Sequence, residues 1–192
     1  MAIDQKMSRE RILAGAVGIL DSGSCSDLTV DALARSLRMS KSTLYKYFPS
    51  KEDVVVALVG DACERAENEV GDALARNTAT GRLTELAAVI GRHGQRLPRA
   101  VILDPDNLPP ACANRMRATR EAFGHAAMSI LNQGVADAEF TWPEPEVAAV
   151  AFVASAEAVL VDGARRRVDG FGQKLHTLPG LFLPGLRATS ET

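Results

Sequence analysis

The chain has 192 residues, 46% of them hydrophobic, and a net charge of −2. That length suffices for one or two domains with a real core, and that apolar share excludes a disordered chain. Near-neutrality excludes a uniformly basic nucleic-acid coat, yet residues 1–51 hold eight Lys/Arg against five Asp/Glu while residues 52–192 hold fourteen against nineteen.

The N-terminus is charged and has no apolar signal-peptide core. After Ser8, a plausible helix cap, the residues Ile12, Leu13, Ala16, Val17, Ile19 and Leu20 recur at helical spacing, which predicts an amphipathic helix to about Asp21. Ser22-Gly23-Ser24 ends it. Thr29 caps a second helix whose buried side is Ala32, Leu33, Ala34 and Leu37, with Asp31 in the first turn, where the helix dipole favours an anion. Arg38-Met39 make a turn. Ser40 caps a third helix, Lys41 to about Phe48, with Leu44 and Phe48 facing inward. Pro49 stops it, and Ser50 with Asp53 resembles a capping box for a long fourth helix, Lys51 to about Arg76. This helix links the N-terminal elements to the rest.

A fifth helix carries Leu83, Leu86, Ile90, His93 and Leu97 in register, and Arg99 to Leu103 form a short sixth. Asp104 to Pro110 hold three prolines and read as a loop. Pro110 starts another helix that runs to about Ala136; Trp142 to Pro145 break the chain; Glu146 to about Val168 form the last long helix, rich in Ala and Val. From Gly170 to Thr192 the chain is apolar but broken by Pro179 and Pro184, so any helix there is short. With no strand-period alternation, the fold class is all-α. The longest uncharged run, Ala122–Ala136, is too short and too polar for a membrane span.

From Arg35 to Lys51 the chain has five basic residues and no acid, and both of its tyrosines, Tyr45 and Tyr47, lie in that stretch. Such a patch on an acidic body is the footprint of a DNA-contacting module. The two short helices and tight turn fit a helix-turn-helix, whose second helix reads base edges with its N-terminal side chains. Lys41, Ser42 and Thr43 occupy those positions. Thr29 joins a hydroxyl to the free N–H groups of a helix start, a phosphate clamp. Tyr45, Lys46 and Tyr47 suit phosphate oxygens on the groove wall, and Lys51 adds its charge to the start of the fourth helix.

The runs Leu28-Thr29-Val30-Asp31-Ala32-Leu33-Ala34 and Met39-Ser40-Lys41-Ser42-Thr43-Leu44-Tyr45-Lys46-Tyr47-Phe48-Pro49-Ser50-Lys51-Glu52-Asp53 resemble the TetR family of bacterial transcriptional regulators. The resemblance is close over residues 8 to about 60, and beyond that rests on helix number. It implies a three-helix N-terminal helix-turn-helix domain (residues 1–52) and a helical ligand-binding and dimerisation domain (residues 53–192). It further implies a homodimer, usually a repressor released from operator DNA by a small-molecule inducer, with Thr29, Lys41, Thr43, Tyr45, Tyr47 and Lys51 in DNA-contacting roles. The chain departs from the family where Arg38 occupies a turn position that is often Gly, and where Ser42 replaces a frequent Gly. A non-Gly residue in a left-handed turn is strained by about 1 kcal/mol, so either the turn is shaped differently or Arg38 is kept as an extra phosphate contact.

In the C-terminal part, helix 146–168 is the candidate dimer contact, since its small residues allow close helix packing. The apolar tail Leu178–Leu186 either covers that interface or docks on its own subunit. His93, Met116, Arg120, Phe123 and Glu157 are candidate effector contacts, although a lone His on an apolar face is more often a core residue and Arg120 with Glu157 reads equally as a structural ion pair. The cysteines Cys25, Cys63 and Cys112 have no metal or disulfide spacing and fit a reducing cytosol. Without metal-ligand spacing or a Gly-rich phosphate loop, no cofactor and no enzymatic activity are expected. The expected location is the cytoplasm, with no membrane partner. The competing readings are a helical protein-interaction module and a helical enzyme, both without DNA binding.

Overall fold

A computed structural model describes residues 2–141, 144–168 and 170–186. They form nine α-helices, three short 3-10 segments and no strand. The chain divides into two compact units. The first is Met1–Ala62 with Leu97–Met116, and the second is Cys63–Arg96 with Arg117–Thr192. Residues 97–116 thus pack with the N-terminal elements, across a gap of 34 residues in the chain.

In the first unit, helix α1 (Ala2–Ser22) starts well before Ser8, which lies inside the helix and is not its cap. Nothing N-terminal to Ser8 breaks a helix, so the hydroxyl alone was a poor boundary marker. The fully buried Ile12, Ala16 and Leu20 define its inner face. α2 (Val30–Leu37) packs on α1 where Gly15 leaves room: a Cβ there would lie 2.8 Å from Leu37 Cδ2. α3 (Lys41–Tyr45) is shorter than its sequence pattern suggests. Its end tightens, Tyr47 N–H donating to Leu44 O at 2.9 Å and Phe48 N–H to the same carbonyl at 3.0 Å. Phe48 still turns inward with Leu44. α4 (Lys51–Leu74) gives its first half to this unit, and α6 (Arg99–Leu103) packs on α1. Asp21 Oδ1 accepts the Arg99 N–H at 2.8 Å, at the start of α6.

The second unit contains the rest of α4, α5 (Ala79–Arg96), most of α7 (Pro110–Ala136), α8 (Pro145–Arg166) and α9 (Pro179–Leu186). Its core includes Leu83, Leu86, Ile90, Phe123, Ile130, Phe140 and Phe152. The Glu139 carboxylate accepts the Ala79 N–H at 3.0 Å, placing an anion at the N-terminus of α5. A 3-10 segment, Phe171–Thr177, crosses α5 so closely that a Cβ on Gly91 would lie 2.1 Å from Gly172 O. Arg76, Glu85, Arg92, Glu69 and Arg96 form a continuous chain of ion pairs between α4 and α5.

The apolar tail docks on its own subunit in part. Leu178 is buried, and the Phe182 ring meets Phe152 edge-on at 5.6 Å. Leu181 remains 79% exposed. The expected break at Trp142-Pro143 and the tail beyond 186 lie outside the described residues. Among the described helices, α8 is long and apolar enough to cross a membrane by length and composition. Its Ala148, Ala149, Phe152, Val153 and Ala156 are nevertheless packed in the core, and its Glu157 is ion-paired.

Candidate nucleic-acid interface

Three helix starts meet in the first unit, each closed by a hydroxyl. Thr29 Oγ1 accepts the Ala32 N–H, Ser40 Oγ accepts that of Thr43, and Ser50 Oγ accepts that of Asp53, each at 3.1 Å. These bonds satisfy one free donor per helix and fix where α2, α3 and α4 begin. Ser50 Oγ also donates to Asp53 Oδ2 at 2.7 Å.

The turn between α2 and α3 is left-handed at Arg38, with φ 53° and ψ 42°. The Met39 N–H donates to Ala34 O at 2.9 Å and the Arg38 N–H to Arg35 O at 3.3 Å, so the last carbonyls of α2 are capped by the paired bonds typical of a glycine-ended helix. Arg11 Nη2 donates to Leu37 O at 2.9 Å and completes the cap from α1. Of the two alternatives left open by the sequence, the turn is therefore not reshaped: Arg38 itself takes the left-handed conformation.

Ser42, Tyr45 and Lys46 are exposed on and just after α3, Tyr45 by 51%, while Thr43 and Tyr47 are half-buried. Ser40 Oγ lies 2.9 Å from Ser42 Oγ and 2.8 Å from Thr43 Oγ1, so the three hydroxyls form one cluster at the start of the helix. Lys41 is exposed but held: its Nζ lies 2.5 Å from Asp31 Oδ1. The hydrogen bond to Asp31, and then its charge, raise the Lys41 ammonium above its ordinary pKa. Lys41 must release Asp31 to reach a base or phosphate. Lys51 is half-buried, 3.9 Å from Glu52, and lines a narrow groove with Tyr45. Thr29, Arg38, Lys41, Ser42, Thr43, Tyr45, Lys46, Tyr47 and Lys51 thus all belong to one unit.

Sequence reasoning missed Lys6 and Arg9. They lie three apart in the first turns of α1, and with Lys46 and Tyr47 they line one open cleft. The signal was their helical spacing, hidden by placing the helix start at Ser8.

This geometry coincides with a recognised sequence pattern: residues 12–58 match the family described as bacterial regulatory proteins, tetR family. The N-terminal stretch is thus similar to TetR-family regulators. It is 33% identical over 95 residues to the transcriptional repressor KstR of Mycolicibacterium smegmatis, covering 49% of this chain and 47% of that one. To the transcriptional regulator EthR of Mycobacterium tuberculosis H37Rv it is 38% identical over 68 residues, 35% of this chain and 31% of that one. The chain therefore spans about half the length of the first relative and about a third of the second. Among solved structures, the TetR-family regulator PfmR of Thermus thermophilus superposes with a TM-score of 0.77 over 91% of this chain and 97% of that one, at 22% identity. This last likeness speaks to the fold alone: N-terminal helices that include a helix-turn-helix, followed by a helical C-terminal part.

In the second unit, His93 is 8% exposed and meets the buried Phe123 edge-on, ring centroids 5.7 Å apart. Arg120 Nε donates to Glu157 at 2.9 Å, and burial pushes the Glu157 carboxyl up against the opposing charge of Arg120. These four fall into two pairs, whereas Met116 belongs to the first unit. Cys25 is half-buried, Cys63 and Cys112 are buried, and none of the three is in a disulfide. Among the described residues no cluster of His, Cys, Asp or Glu could hold a metal ion.

Proposed function

We propose that the chain is an intracellular, DNA-binding transcriptional regulator that acts as a homodimeric repressor and leaves its operator when a small molecule binds. The observation that carries this reading is the helix-turn-helix of residues 30–45, capped at both starts, within the stretch that matches the TetR pattern. In it, α3 enters the major groove. Lys41, Ser42 and Thr43 face base edges; Thr29, Arg38, Tyr45, Lys46, Tyr47 and Lys51 face phosphates. Residues 1–52 serve as the DNA-binding domain and residues 53–192 as the domain for effector and dimerisation.

The dimer reading is supported by α8. Its outward stripe of Val147, Val150, Ala151, Ala154 and Ala158 is exposed, with Val147 and Val150 at 58% and 68%. A second copy of the same helix would cover a face that is otherwise costly in water. Effector contacts are assigned to His93, Arg120, Phe123 and Glu157 of the second unit. An effector acts by favouring dimers whose two recognition helices no longer match the operator half-sites.

The test is binding to the protein's own upstream DNA. Tyr45→Ala should weaken binding to all sequences alike, whereas Thr43→Ala should change sequence preference. Equal losses on all sequences for both variants would overturn the base-reading assignment. No shift at low salt would overturn the function and leave a protein-interaction module in its place.

A further inference from the structure

We propose that the N-terminal turns of α1 build a phosphate-binding cleft that grips the operator backbone beyond the helix-turn-helix, with Lys6 and Arg9 as its cations. The inference rests on the DNA-binding reading above and extends it to residues outside the recognised motif.

The cleft is open, holds about 420 Å³ and is lined by Lys6, Arg9, Lys46 and Tyr47. Among the described residues no carboxylate lines it. This sets it apart from Lys41, paired with Asp31, and from Lys51, near Glu52: Lys6, Arg9 and Lys46 form no ion pair among the described residues. All three are exposed, so an incoming anion has no internal carboxylate to displace. Arg9 is also pre-positioned, its guanidinium carbon 5.2 Å from the centroid of the buried Phe48 ring. A stacked guanidinium loses less freedom on binding and can present two N–H groups to one phosphate. Lys46 and Tyr47 directly follow α3. A strand running along the wall of the groove that α3 enters would pass the cleft, where the Tyr47 hydroxyl can donate to the same phosphate. The matching ligand is a phosphate oxyanion; the location commits it to the DNA backbone.

The experiment titrates the full chain with an operator duplex and an unrelated duplex between about 50 and 200 mM salt. Wild type, Lys6→Gln, Arg9→Gln, the double variant and Arg9→Lys are compared. Each phosphate contact contributes about 0.9 to the slope of log affinity against log salt, or about 3.5-fold over that range. The double variant should lose a slope of about 1 to 2, weaken both duplexes by the same factor and keep its sequence preference. Arg9→Lys should restore most of the slope. Lys6 has no part in the core, so Lys6→Gln reads the cleft without risk to the fold. A wild-type chain that binds DNA with variants of unchanged slope would overturn the cleft and leave the DNA reading intact. A wild-type chain that binds no DNA would overturn both. A changed sequence preference would make these residues base readers and overturn the phosphate assignment. If inorganic phosphate at constant ionic strength occupied the cleft while DNA slopes stayed equal, its ligand would be a free anion and the backbone contact would be overturned.

Discussion

Replacing Arg38 by glycine should stabilise the protein while weakening its hold on DNA. Three non-glycine residues among those described have left-handed backbone: Arg38 at φ 53°, Ala138 at φ 58° and Arg167 at φ 54°. Each closes a helix in the same way. Met39 N–H reaches Ala34 O at 2.9 Å, Glu139 N–H reaches Gly134 O at 2.8 Å and Val168 N–H reaches Gly163 O at 3.1 Å. A Cβ in this conformation costs about 1–2 kcal/mol, and glycine returns roughly 0.5–1 kcal/mol of that through its freer unfolded chain. The net gain per site is about 0.5–1 kcal/mol, a rise in Tm of about 1–4 °C for a chain of this size. Arg38→Gly, Ala138→Gly and Arg167→Gly are compared by thermal and denaturant unfolding. Ala138→Gly carries no charge change and reads backbone strain alone. Arg38→Gly should match it in stability and, alone of the three, lower the salt slope of DNA binding by about 0.9. A clear loss of stability in Ala138→Gly would refute the strain argument. Loss confined to Arg38→Gly would mean that the Arg38 side chain itself holds the turn.

Gly91→Ala should destabilise the second unit, because the new Cβ would sit 2.1 Å from Gly172 O and force the segment Phe171–Thr177 off α5; a cost of about 1–3 kcal/mol corresponds to a fall in Tm of about 3–10 °C. Burial would raise the Glu69 carboxyl, but hydrogen bonds from Arg92 and Arg96 outweigh it and hold its pKa below the ordinary 4.5. Its stabilising effect is therefore complete above about pH 4.5 and lost as pH falls through the lower folded value. Glu69→Gln should cost about 1 kcal/mol at neutral pH and flatten the acid side of the stability curve. Val150→Glu should leave helicity unchanged and give a monomer by light scattering, since a carboxylate cannot be buried unpaired between two α8 stripes.

Much of the fold could be read wherever a local signal has one meaning. Pro110 begins α7, Ala136 ends it, and the hydroxyls of Thr29 and Ser40 cap the helices they were expected to cap. The turn at Arg38-Met39 was also legible, although the sequence leaves open whether Arg38 itself is left-handed. Signals that depend on what lies across space were not. Asp31 does sit in the first turn of its own helix, but that its carboxylate also holds Lys41 across the turn was not legible. Met116 shares a helical stripe with Phe123 but falls in the other unit, since periodicity gives a face and not a neighbour. Ser8 shows the limit of single-residue signals: a hydroxyl can cap a helix or ride within one, and with Ser8 inside α1 the pair Lys6 and Arg9 joined the candidate site.

The central claim is that two copies of the helix-turn-helix read one operator. Footprinting of this chain on its own upstream DNA tests it most directly. The expected result is two protected half-sites related by symmetry, their centres one helical turn or a multiple of about 34–36 Å apart, with protection lost on Tyr45→Ala. A single protected site, or protection that ignores sequence and survives Tyr45→Ala, would contradict it.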